Sequence, residues 1–203
     1  MSKIAILGGT FNPVHIGHIE IAKCVLENTD ADKVLFLPTG NPHYKTTGFV
    51  ADKHHRYNML RLATKDFDNM EISDYEMNQQ GPCYTVDTMR YFKKQHPENT
   101  YCFIIGADSL DYLHKWKDAG NIIKENEFIV VNRNFKDNYN FDKNIEYISS
   151  MCGKVTKADM PCVDISSSMI RDMLRCGCDV SHYTGKTVYE YIIYNNLYIG
   201  ESK

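Results

Sequence analysis

GGTFNPVHIGHIEIA, residues 8–22, follows directly on the apolar run Ile4-Ala5-Ile6-Leu7 and decides how the rest of the chain is read. The apolar run reads as a buried strand, and the pattern from about residue 17 to 27 reads as a helix. A glycine-rich turn between the two presents main-chain N–H groups where the helix dipole is positive, which is a favourable seat for a phosphate. Gly8 and Gly9 let a ligand approach the backbone closely. The spacing is not the dinucleotide fingerprint G-x-G-x-x-G, because the next glycine is Gly17, and it is not a P-loop. Gly185-Lys186-Thr187 looks like the end of a P-loop, but position 180 is Val and no strand precedes it, so it reads as coincidence.

His15 and His18 stand three residues apart at the first turn of this helix, on one face and beside its positive end. A lone histidine there would read as a cap or a core residue. Two of them around a glycine, directly after a glycine-rich strand end, read as phosphate chemistry, since imidazoles donate hydrogen bonds to phosphoryl oxygens near neutral pH.

Outward from this segment, apolar blocks alternate with helical ones. Strands are expected at residues 4–7, 34–37, 70–73, 101–105, 128–131 and 162–165. Helices are expected at about 17–27, 53–65, 85–95 and 108–113, with two more at 167–176 and 186–196. Near-continuous Val/Ile/Leu/Phe strands imply a sheet covered on both faces. The expectation is an α/β fold, a doubly wound Rossmann-like open parallel sheet with C-terminal helices from about residue 166, forming one domain over residues 1–203. Ligands of such a sheet sit beyond the carboxyl ends of its strands. The polar stretch 132–144 reads as a surface loop or insertion.

A formal net charge of −3 argues against a sequence-independent nucleic-acid binder. The seven cysteines, odd in number and scattered, read as reduced thiols rather than a disulfide framework or a zinc site. The first residues are not a signal peptide, and no apolar stretch is long enough for a membrane span, so a cytoplasmic protein without membrane contact is expected. A homo-oligomer is left open.

The segment G-G-T-F-N-P-V-H-I-G-H resembles the nucleotidyltransferase signature G-G-T-F-D-P-x-H-x-G-H. GPCYTVDTM (81–89), FIIGADSLDYLHKW (103–116), VVNR (130–133), ISSSMIR (165–171) and YEYIIYNNLY (189–198) resemble, in the same order, the bacterial nicotinic acid mononucleotide adenylyltransferase family. The resemblance implies the nucleotidyltransferase fold and transfer of the adenylyl group of ATP to nicotinate mononucleotide. The products are deamido-NAD and pyrophosphate, formed by direct in-line displacement in NAD biosynthesis.

It also implies roles. His15, His18, Lys45 and Arg171 would be catalytic. Gly8, Gly9, Thr10, Phe11, Gly106, Asp108, Arg133, Ile165, Ser166, Ser167 and Ser168 would bind ATP. Tyr84, Thr85, Tyr112 and Trp116 would bind the nicotinate side, with Trp116 stacking on the pyridine ring. Magnesium would arrive with ATP, and no protein metal ligand is implied. The sequence departs from the family pattern at Asn12, usually Asp, and at His43-Tyr44, usually Pro-His ahead of the lysine. A sister adenylyl- or cytidylyltransferase acting on another phosphate acceptor, such as phosphopantetheine, would share the histidines and the serine-arginine helix but not the middle motifs. A non-catalytic nucleotide sensor on the same fold is disfavoured by the intact histidine pair. An NAD-dependent oxidoreductase would carry the G-x-G-x-x-G that is missing.

Overall fold

The computed structural model describes residues 1–40, 49–132, 139–151, 153–160 and 163–199. In chain order they form β1 (Lys3–Gly9), α1 (Ile16–Asn28), β2 (Lys33–Pro38), α2 (Lys53–Thr64), β3 (Met70–Ile72), α3 (Thr85–Gln95), β4 (Thr100–Gly106) and α4 (Ala107–Leu110). There follow α5 (Ala119–Glu125), β5 (Glu127–Asn132), α6 (Tyr139–Ser150), β6 (Lys154–Asp159), α7 (Ser167–Arg175), α8 (Ser181–Thr184) and α9 (Lys186–Tyr194). Short 3₁₀ turns lie at Glu76–Asn78 and Leu113–Lys115.

The sheet is all parallel with strand order β3-β2-β1-β4-β5-β6. This is the doubly wound order, and its switch point falls between β1 and β4. Side chains alternate between two cores. Ala5, Leu7, Val34, Phe36, Cys102, Ile104, Ile129 and Val131 pack with α1, α2, α7 and α9 on one face. Ile6, Leu35, Leu37, Tyr101, Phe103, Ile105, Phe128 and Val130 pack with α3, α4, α5 and α6 on the other. Two covered faces explain why these strands are apolar throughout instead of alternating.

The register opens a crevice. β1 pairs with β2 as far as Gly9↔Pro38, and β4 pairs with β5 as far as Gly106↔Val131. Pairing between β1 and β4 stops at Ile6↔Phe103. The last residues of the two central strands therefore diverge, leaving Gly8-Gly9 on one lip and Ile105-Gly106 on the other.

Three sequence expectations are corrected. The sixth strand lies at Lys154–Asp159, not at 162–165, of which residue 162 is outside the described residues. It is an edge strand, with only Ala158 fully buried, so it lacks the apolar run that marks the interior strands. The polar stretch 132–144 is in part helical, because α6 begins at Tyr139. Its buried contact, Ile148, lies beyond that stretch. The helix expected at 108–113 is the short α4 followed by a 3₁₀ turn. The helices α5 and α8 were not anticipated; α8 is a single turn, too short for a periodic signal.

Five of the seven cysteines lie among the described residues, all as free thiols. Among those residues no helix is long and apolar enough to cross a membrane.

Just past β2, Gly40 is packed so tightly that a Cβ would lie 2.2 Å from the carbonyl oxygen of Glu76. That neighbour is backbone and cannot rotate away. Gly40→Ala is expected to destabilise the protein by about 1–3 kcal/mol, as overpacking does, read as a lower midpoint in urea unfolding. An unchanged midpoint would show that the β2 exit is not constrained in this way.

Candidate active site

The β1–α1 loop is built from the inside. Phe11 has φ 50°, in the left-handed region, and its ring is 2% exposed. The ring lies over Gly9, where a Cβ would sit 3.0 Å away, and packs against Phe36 with centroids 5.8 Å apart. Glycine at position 9 is what allows the turn to fold inward. Because the ring of Phe11 belongs to the core, its main chain is the part left to meet a ligand.

His15 caps α1 and is almost fully buried, while His18 is half-buried, so the two are not equally accessible. Their rings lie against each other at a tilt of 35° with centroids 3.8 Å apart, and Phe11 meets His18 edge-on at 4.9 Å. The backbone N–H of His15 donates to Nδ1 of His18 at 3.2 Å. A neutral His18 must then carry its proton on Nε2, which makes that atom a donor. Gly17 is needed here, since a Cβ would lie 3.0 Å from the His15 ring.

The N-terminus of α7 docks on the same loop. Ser166 Oγ accepts from the N–H of Met169 at 3.2 Å and so caps the helix. Ser167 Oγ donates to the carbonyl of Pro13 at 2.8 Å. Arg171 donates to the carbonyl of Asn12 at 2.8 Å and to Ser168 Oγ at 3.0 Å. Ile165 is buried and lies below Gly17, 3.5 Å from where a Cβ would be. Two motifs separated by about 150 residues in sequence thus converge at the end of β1.

The residues expected on the nicotinate side connect to this loop through Phe103. Its ring lies 3.2 Å from the Cβ position of Gly8 and meets Trp116 edge-on, with centroids 5.9 Å apart. Trp116 is half-buried, and its packing against the sheet leaves part of it exposed. Tyr84 caps α3 from an exposed position under Lys117 Nζ, 4.0 Å from the ring centroid, and Thr85 opens the same helix. Tyr112 is exposed, with Lys115 Nζ 5.2 Å from its ring centroid. Gly106 faces open space on the far lip. Asp108 is in the first turn of α4, but its side chain is outside the described residues, as are Lys45, His43, Tyr44 and Arg133.

Sequence reasoning missed two anchoring residues and undervalued a third. Asn12, noted only as a departure, is 3% exposed. Its Nδ2 donates to the carbonyl of Phe49 at 2.9 Å, while Oδ1 accepts from the N–H of Ala51 at 3.0 Å and from the hydroxyl of Tyr198 at 2.8 Å. The donation to Phe49 is one an aspartate could not make. Tyr198 has φ 61°, a conformation that costs a non-glycine residue about 1–2 kcal/mol and is held by burial and this hydrogen bond. Burial pushes its phenol upward in pKa, against the pull of Arg171 and Arg56. Arg56 is 1% exposed on α2, where it stands in line with buried Met59 and Leu60. A lone arginine at a core position of a helix was the available signal.

A cytidylyltransferase-like family model matches residues 6–173. A Clostridium tetani protein named "Probable nicotinate-nucleotide adenylyltransferase" is 36% identical over 202 residues, 98% of this chain and 100% of that one. A Clostridium botulinum protein of the same name is 38% identical over 200 residues, again 98% and 100% of the two chains. Among solved structures, Plasmodium falciparum nicotinic acid mononucleotide adenylyltransferase complexed with NaAD superposes with a TM-score of 0.80 at 23% identity, over 98% of both chains.

The Tyr198–Asn12 hydrogen bond is fully buried, so its loss is felt by the loop. Tyr198→Phe is expected to cost about 1 kcal/mol, since Asn12 Oδ1 keeps its bond from Ala51, and to lower the melting temperature accordingly. A melting temperature equal to that of the parent protein would mean the C-terminal tether does not hold the loop.

Proposed function

The chain belongs to the cytidylyltransferase-like family and, within it, to the nicotinate-nucleotide adenylyltransferases, and from that membership together with the site we propose that it joins ATP and nicotinate mononucleotide into deamido-NAD. A 5′-phosphate oxygen of the mononucleotide forms a bond to the α-phosphorus of ATP. The bond from that phosphorus to the bridging oxygen breaks, and pyrophosphate leaves. No covalent enzyme intermediate is needed, so the protein contributes position and charge.

The single observation that carries this reading is the convergence of the histidine pair and the α7 N-terminus on the end of β1. His18 Nε2–H would donate to the α-phosphoryl oxygens as charge develops there, with His15 holding the ring in place. Gly8, Gly9, Thr10 and the main chain of Phe11 would cradle phosphates. Ser166, Ser167, Ser168 and Arg171 would meet the β and γ phosphates, with Ile165 supporting the loop from below. Lys45 would add charge at the transferred phosphate, Gly106 and Asp108 would take the ribose, and Arg133 would lie near adenine.

On the acceptor side, Trp116 would stack on the pyridine ring, with Tyr84, Thr85 and Tyr112 around it. Its neighbour Phe103 lies directly on Gly8, which supports an acceptor subsite beside the proposed phosphate loop. Magnesium would enter with the nucleotide, held by phosphate oxygens and water. Among the described residues there is no cluster of three or more His, Cys, Asp or Glu side chains that would hold it independently. The free thiols fit a reducing cytoplasm.

Offering ATP with nicotinate mononucleotide, phosphopantetheine or glycerol 3-phosphate tests the reading. Pyrophosphate release is expected to be fastest with the mononucleotide, and a preference for another acceptor would make the chain a sister transferase. His18→Ala is expected to lower kcat by about a hundredfold or more with a smaller change in KM, and a near-normal kcat would remove His18 from this role. Trp116→Ala is expected to raise KM for the mononucleotide while leaving KM for ATP unchanged. Equal effects on both substrates would count against ring stacking.

A further inference from the structure

Arg56 has the strongest unexplained chemistry in the molecule. Its Nε donates to the carbonyl of Ala51 at 3.1 Å, and its two terminal nitrogens donate to the carbonyls of Thr10 at 2.8 Å and Gly40 at 3.0 Å. These acceptors come from the approach to α2, the β1–α1 loop and the exit of β2. Among the described residues no carboxylate hydrogen-bonds to the guanidinium. Burial pulls its pKa below the ordinary value, but an arginine side chain stays protonated in a protein. The result is a buried cation set among main-chain dipoles.

Such a charge is expensive to bury, and where only packing is required an apolar side chain of similar volume usually serves as well or better. The position of the charge suggests why it is kept. The Thr10–Phe11 peptide is planar and trans, so turning its carbonyl toward Arg56 sends the N–H of Phe11 in the opposite direction. Phe11, at φ 50°, has the left-handed conformation that anion-binding backbone nests employ.

We infer that Arg56 is a positioning residue of the nucleotide site. It fixes the Thr10–Phe11 peptide and the β2 exit in one arrangement, and its charge, which the Asp52 carboxylate offsets only in part and without a hydrogen bond, adds to the attraction for a polyphosphate in the crevice. This rests on the reading of the site as one that takes ATP. Lysine cannot replace it, because an ammonium is a point charge and does not span three separated carbonyls as the planar fork does.

The test compares wild type, Arg56→Lys and Arg56→Met. Arg56→Lys is expected to lower kcat per folded molecule by about tenfold to a hundredfold, as displacement of a positioned phosphate does, with KM for the mononucleotide unchanged. Arg56→Met is expected to lose most of the rise in melting temperature that inorganic triphosphate or ATP induces in wild type, the shift being read against each variant's own unliganded value. Wild-type kcat in Arg56→Lys together with a wild-type triphosphate shift in Arg56→Met would overturn the inference and leave a packing role.

If neither variant folds, the wild-type Nε–H exchange rate of Arg56, followed by NMR, decides. Slow exchange before ligand addition, slowing further with triphosphate, is expected, whereas exchange as fast as that of a surface arginine overturns the inference. If wild type binds triphosphate but makes no dinucleotide from nicotinate mononucleotide, the acceptor assignment fails, while the triphosphate measurements still judge Arg56.

Discussion

The divergence of β1 from β4 after Ile6↔Phe103 is the constraint on which the rest depends. A parallel sheet with helices on both faces has one place where neighbouring connections leave in opposite directions, and a crevice forms there at the carboxyl ends of the strands. In this chain the two strand ends that flank it are Gly8-Gly9 and Gly106, so backbone rather than side chain lines its lips. Phe103, the last β4 residue paired with β1, lays its ring against Gly8. The residue that ends the pairing also forms the wall shared with Trp116.

A loop that presents main-chain N–H groups to a ligand cannot use them to hold itself in place. The carbonyls and side chains of this loop do that work from behind. Thr10 is held by Arg56, Asn12 by Arg171 and Tyr198, and Pro13 by Ser167. The anchors come from three separate segments, α2, α7 and the stretch after α9, which makes the geometry of residues 10–13 a property of the whole fold. The conformations of Phe11 and Tyr198, both at positive φ, are what such over-determination permits.

The parts legible in the sequence are those with a period or a motif. Interior strands show as apolar runs because both faces are covered, and α3 shows because Val86, Met89 and Phe92 form one buried stripe. β6 was displaced because an edge strand such as Lys-Val-Thr-Lys-Ala-Asp carries no such run. The start of α6 reads as a loop because its polar residues conceal Ile145 and Ile148 further on. The histidine pair and the serine-arginine helix were legible as local motifs. Arg56, Asn12 and Tyr198 were not, because their roles are hydrogen bonds across as many as 186 residues, and no local pattern encodes a distant partner.

The two sides of the crevice differ in how they are built, and this difference bears on specificity. The proposed phosphate side is fixed by buried polar groups whose removal leaves others unsatisfied, so little there can change without loss of the loop. The proposed acceptor side rests on the ends of short elements: the cap of α3, a 3₁₀ turn and a half-buried tryptophan, with lysines above the rings of the exposed Tyr84 and Tyr112. Contacts of that kind are weak and exposed, worth about 0.5–1 kcal/mol each. In the proposed site a change of acceptor would therefore require substitutions on this side, with the side that carries adenylyl transfer left intact. In the proposed site the nucleotide chemistry would be set by the core, and the choice of what receives the nucleotide by the surface beside Trp116.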